Sequence, residues 1–152
     1  MKNFISTLVV GFLFTSLLQA QIQPIDDNGL AIGGYDVVAY FSNTATKGST
    51  KYTAEYNGAT YRFATAENRD AFQKEPTSYL PQFDGYCAWG VAAKDSKFPI
   101  NPEAFDIVDG KLYLFFNGPF DGKEFNTALL WNAETTKLKT TAHEKWPEVK
   151  DN

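Results

Sequence analysis

Tyr52-Thr-Ala-Glu-Tyr-Asn-Gly-Ala-Thr-Tyr-Arg-Phe-Ala-Thr-Ala-Glu-Asn-Arg-Asp-Ala-Phe-Gln-Lys-Glu-Pro-Thr-Ser-Tyr-Leu-Pro-Gln-Phe-Asp-Gly-Tyr-Cys87 is the stretch that decides the fold. Tyr52, Ala54 and Tyr56 alternate with polar neighbours, and Tyr61 and Phe63 alternate on the return. Asn57-Gly58 between them supplies the positive φ that a right-twisted two-residue turn requires, so this segment predicts a β-hairpin. Thr65 is placed to cap a helix with Glu67 in its first turn and Phe72 facing inward. Pro76 ends that helix near residue 75, because the residue before a proline is driven out of the α region.

Working outward, Asp26 to Gly29 reads as a turn, and Gly33-Gly34 as a break before an ordered docking segment over residues 35–41. Ser42 to Ser49 has loop composition. Pro76 to Tyr86 is an irregular aromatic connection, and Cys87 to Ala93 begins either a short helix or a buried turn. Phe105 and Ile107 face Leu112 and Leu114 across Asp109-Gly110, which predicts a second hairpin with Tyr113 and Phe115 on its other face. Asn117-Gly118-Pro119 ends its second strand. From Lys123, the residues Phe125, Leu129, Leu130, Ala133, Leu138, Ala142 and Trp146 recur at helical spacing, with a bend at residues 132–136 and a stop at Pro147. Lys150 to Asn152 are expected to fray. The fold expected is a single α+β domain in which two antiparallel hairpins form a small sheet covered by helices near 66–75 and 124–146.

At the other end of the chain, Lys2, the apolar run from Phe4 to Leu18 and the small residue Ala20 read as a secretory signal peptide over residues 1–20. Its cleavage leaves the domain at 21–149 and moves the formal net charge from −4 to −5. A periplasmic or secreted location follows, with no membrane attachment once the signal is gone. The acidic balance and the lack of a basic cluster speak against nucleic acid as a partner. A domain of this length buries roughly two-thirds of its unfolded surface, so any metal would be functional and not a folding scaffold. Thirteen Phe, eight Tyr and three Trp provide a dense aromatic core.

Several segments together resemble the YHS domain: Gly34-Tyr35-Asp36-Val37-Val38-Ala39-Tyr40, Glu55-Tyr56-Asn57-Gly58, Tyr61-Arg62-Phe63, Phe72 to Tyr79, and the later GYCAW and VDGKLYL. The order is similar to that of the secreted, single-module branch of the family, with a C-terminal hairpin and helix added. The resemblance implies an exported binding module, with metal as the ligand class ascribed to the family. Metal-associated versions carry cysteines in the lead-in, just after the second strand and one helical turn later. This chain has Val37 or Val38, Ala64 and Asn68 there.

The chain contains one cysteine and one histidine, Cys87 and His143, which excludes a closed four-ligand zinc site. Copper(I) accepts fewer, softer ligands, so Cys87 is the candidate metal ligand and copper the candidate cofactor. Tyr86, Trp89, Tyr35 and Asp36 are the further candidates for a ligand or metal site, with Phe83 and Tyr40 adding aromatic surface. His143 lies on a helix face expected to be solvated. Asp36 and Asp84 belong to no Asp-x-Asp-x-Asp calcium loop. No catalytic residue is assigned. Two other functions fit a lone exported thiol: a redox enzyme or sensor acting through Cys87, or a purely structural interaction domain, with a Cys87 disulfide to a second chain as a further possibility.

Overall fold

The computed structural model describes residues 21–152; residues 1–20, expected from sequence to be a signal peptide, lie outside the described residues. The first hairpin pairs β1 (Ser49–Tyr56) with β2 (Ala59–Phe63), antiparallel, with Tyr56 opposite Ala59 across the Asn57-Gly58 turn. Thr65 caps α1 (Ala66–Lys74), its side chain accepting from the Asn68 amide. Helix α1 stops at Glu75, and Pro76 opens the single turn α2 (Pro76–Tyr79). Proline suits that first helical position, where its missing N–H costs nothing. Cys87 caps α3 (Ala88–Lys94), so of the two expectations for this segment the helix is the one observed.

The second hairpin pairs β3 (Asn101–Val108) with β4 (Lys111–Phe115) across Asp109-Gly110. A third follows that the sequence reading did not contain: β5 (Asn117–Phe120) pairs β6 (Lys123–Asn126) across Asp121-Gly122, both at positive φ. Residues 123–126 are therefore strand, not the start of a helix. Asn126 then caps α4 (Thr127–Ala133), accepting from the Ala128 and Leu129 amides. This change of starting point rotates the helix. Thr127 and Trp131, one turn apart, face the core, while Leu129 and Leu130 are exposed. The expected break holds at Glu134, after which α5 (Thr135–Asp151) begins.

The expected mixture of helices and antiparallel hairpins is present, but the hairpins form three separate two-stranded ribbons and not one sheet. The reason lies at their edges. Along β2 the lead-in pairs with Thr60, whose amide donates to Gly29 and whose carbonyl accepts from Ala31. Along β4 the amide of Gln82 donates to the carbonyl of Leu112, beside a Pro81 bridge. Irregular segments thus occupy the edges that a larger sheet would need.

Strand β4 separates two cores. Leu112 and Leu114 join Phe63, Phe72, Tyr40 and Cys87 on one side; Tyr113 and Phe115 join Trp131, Val91 and Leu138 on the other. The alternation of a strand with both faces buried accounts for this division. Helix α5 closes the second core and, contrary to the expected stop, continues through Pro147. Contacts beyond the proline hold the last turn: Val149 is buried, and the Lys150 carbonyl accepts from Lys97 Nζ at 2.7 Å.

Candidate functional site

The five residues singled out from sequence have separate sets of partners. Asp36 is wholly buried, and its carboxylate joins three segments. Oδ1 accepts from the amides of Val38 at 2.9 Å and Ala39 at 3.2 Å. Oδ2 accepts from the Ala64 amide at 2.8 Å and from Asn68 Nδ2 at 2.7 Å. Val37 or Val38, Ala64 and Asn68 are the positions at which the resemblance implies cysteines in the metal-associated versions. Here a carboxylate clasp ties the lead-in to the end of β2 and the start of α1. A cation would have to displace four donors from those two oxygens. Among the described residues no group of three or more His, Cys, Asp or Glu could hold one. The residues present do not fit a metal.

Cys87 is wholly buried in the first core. Its Sγ lies 3.2 Å from Thr127 Oγ1, which itself donates to the Phe116 carbonyl at 2.8 Å, and it accepts weakly from the Gly90 amide. This is the environment of a thiol that packs as a small hydrophobe. Tyr86 meets Trp146, and Trp89 meets the edge of Phe125 at 5.3 Å. Tyr35 donates its hydroxyl to Glu103 at 3.0 Å; burial first and that hydrogen bond second raise its pKa. Tyr40 donates to the Pro102 carbonyl at 2.7 Å, and burial raises its pKa strongly.

His143 is on an exposed helix face as expected, yet its ring is held. It packs on Phe83 with centroids 4.9 Å apart, and Nε2 lies 3.1 Å from the Tyr113 hydroxyl. Burial, then the Lys139 charge, lower the His143 pKa; burial, then Asp109, raise that of Tyr113. Both groups are therefore kept neutral.

A cavity lies elsewhere, between the first hairpin, the lead-in and the end of α5. It has a volume of about 310 Å³. Tyr56 and Tyr61 line it from the hairpin, Ile32 from the lead-in, Leu80 and Pro81 from the segment after α2, and Asp84 and Lys150 from its charged rim. Tyr61 is only 8% exposed, and its hydroxyl has no hydrogen-bond partner among the described residues. Desolvation, then the Asp84 charge, push its pKa up to about 12, so the hydroxyl remains a donor throughout the physiological range.

Two left-handed turns face each other at this cavity. Ile32, Gly33 and Gly34 have φ of 48°, 59° and 78°; Phe83, Asp84 and Gly85 have 57°, 51° and 86°. A β-branched residue at positive φ is a genuine outlier, and such strain persists only where surrounding contacts over-determine it. Close packing of the two turns does so. A Cβ on Gly85 would lie 3.0 Å from Pro24 Cβ and 3.1 Å from Ile32 Cδ1, so only glycine allows this approach at this φ. The second turn aims Asp84 at Lys150, 3.1 Å away across the rim. The two side chains are 58% and 54% exposed, so the pair contributes no more than about 1 kcal/mol and opens readily.

Sequence reasoning missed Tyr61 as a site residue because its alternation marks it equally as core. Lys150 was expected to fray and instead holds the rim. The available signal was the pair of glycine-containing triplets, 32–34 and 83–85, each of which marks a left-handed turn.

Comparison with known proteins gives a partial family match. No curated protein and no solved structure matches the chain. The family model described as the YHS domain matches residues 38–83, which include the groups that donate to Asp36 but not Asp36 itself, span the first hairpin and α1, and end just before Cys87. Over residues 38–83 the chain matches the YHS domain family model, in line with the resemblance read from its sequence.

Proposed function

We propose that the mature chain is an exported YHS-domain binding module, and that it takes a small organic ligand in the cavity between the first hairpin and the end of α5. The observation that carries this reading is Tyr61, a residue only 8% exposed whose hydroxyl is left without a protein partner among the described residues and lines a cavity of mixed apolar and charged side chains. A hydroxyl that opens onto a cavity with no protein acceptor is free to donate to a ligand there. Size agrees: small-molecule pockets span roughly 300–1,000 Å³, and this one lies at the lower end. The left-handed turns support the same view, since stored backbone strain concentrates at ligand clamps. Export rests on the Lys2, apolar-run and Ala20 pattern.

Soft-metal binding or redox chemistry at Cys87 would need access to a thiol that is wholly buried, with Thr127 against it. The family's association with metal finds no donor set at the Asp36 clasp. Both readings are less well supported than the cavity.

The test is amide shift mapping of the mature protein, residues 21–152, against a library of small organic fragments, with copper(I) uptake and Cys87 alkylation measured alongside. Shifts should cluster at Ala59, Tyr61, Leu80 and Asp84 and weaken at least fivefold in affinity in Tyr61→Phe. Alkylation should be slow until denaturant is added. Fast native labelling with one equivalent of copper(I) bound, and no cavity shifts, would sink the proposal in favour of a thiol site.

A further inference from the structure

We infer that the ligand of this cavity is a small α-amino acid with an apolar side chain, an inference that rests on reading the cavity as the binding site. The charged side chains in the lining are one carboxylate, Asp84, and one ammonium, Lys150, 3.1 Å apart. The site is therefore neutral overall but sharply dipolar. A free anion placed there gains Lys150 and meets the uncompensated charge of Asp84; a free cation meets the reverse. A zwitterion whose two charges are separated by a single carbon satisfies both poles at once, its ammonium toward Asp84 and its carboxylate toward Lys150.

The exchange is feasible because both poles are more than half exposed, so opening their mutual contact does not strand a buried charge. The Tyr61 hydroxyl adds a third point of recognition. As a permanent donor it matches the second oxygen of a carboxylate, and it has no competing acceptor among the described residues. Ile32, Leu80 and Pro81 then present an apolar wall to the side chain. The volume of about 310 Å³ suits one such molecule and not a peptide chain. Asp84 is held by its left-handed turn, whereas Lys150 rides on a flexible stem in the last turn of α5, beyond Pro147. One pole is fixed in advance and the other adapts.

The experiment compares leucine with three compounds that keep its side chain: 3-methylbutylamine, which lacks the carboxylate; 4-methylpentanoic acid, which lacks the ammonium; and the uncharged 4-methylpentanamide. Affinities for the mature protein are read by calorimetry and by amide shifts at the cavity. Leucine should bind at least tenfold more tightly than each of the others. Lys150→Met should abolish its advantage over the amine, and Asp84→Asn, which tolerates the left-handed turn, should abolish its advantage over the acid. Equal or tighter cavity binding by the acid, the amine or the amide overturns the ligand class while leaving the site in place. Absence of cavity shifts with all four also overturns the class, and the fragment library then decides separately whether the cavity is a site. An unchanged preference in both variants would overturn the assignment of the two poles.

Discussion

Asp36 shows how one side chain can organise several segments. Its two oxygens accept four hydrogen bonds, from two adjacent amides in its own turn, from the end of β2 and from a side chain on α1. Hydrogen bonds to a carboxylate contribute about 1.5–3 kcal/mol each when made, and their loss here leaves buried donors without partners. Asp36→Ala should therefore destabilise the protein by about 3 kcal/mol or more. Chemical denaturation is the measurement, and a midpoint within error of the wild type would show that the clasp is not structural. Gly48 acts at the same scale by steric exclusion. A Cβ there would sit 2.4 Å from the Arg62 carbonyl carbon and 2.6 Å from the Phe63 nitrogen, so the loop that enters β1 can lie against β2 only as glycine.

Among the elements, α5 is the one whose local sequence works against it. Pro147 is the thirteenth of seventeen helical residues, where it removes a donor and crowds the preceding turn. The helix continues because Val149 is buried and Lys150 and Lys97 tie the final turn down. Pro147→Ala should restore the bond to the His143 carbonyl and stabilise the protein by about 1–3 kcal/mol. Thermal unfolding followed by circular dichroism would register this as a raised Tm. A lowered Tm would mean that the proline's bend is needed for docking α5.

For the whole molecule, the contact between α5 and β4 introduces a pH dependence. His143 titrates in the fold below its ordinary value near 6.5, because burial and Lys139 disfavour the cation. The unfolded chain therefore binds the proton first as pH drops. The stability contributed by neutral His143 is fully present above about pH 6.5 and is lost as pH falls through the lowered folded value. Unfolding free energy should decline from pH 7 toward that value, and the decline over this range should be shallower in His143→Gln. An identical slope in the variant would remove His143 as the source. The two poles at the cavity rim belong to this scale as well, since Asp84 and Lys150 are 66 residues apart in sequence and meet only when α5 has closed the second core.

The sequence by itself determined the local structure: two hairpins from Asn-Gly and Asp-Gly turns between alternating apolar residues, α1 from its Thr65 cap and Pro76 stop, and the two faces of β4. These follow from φ/ψ preferences and period-two patterning, which act over a few residues. The same Asp-Gly signal at residues 121–122 was present but outweighed by an apparent helical period running from Phe125 to Trp146. Only the tertiary structure decided which edges were open, that Cys87 is interior, that Pro147 is tolerated and that the loop residue Gly48 lies against the backbone of β2. It also decided the site. Tyr61, Asp84 and Lys150 carry no mutual spacing that a linear pattern could reveal, because their meeting depends on two left-handed turns packing together and on a terminal helix returning across the fold.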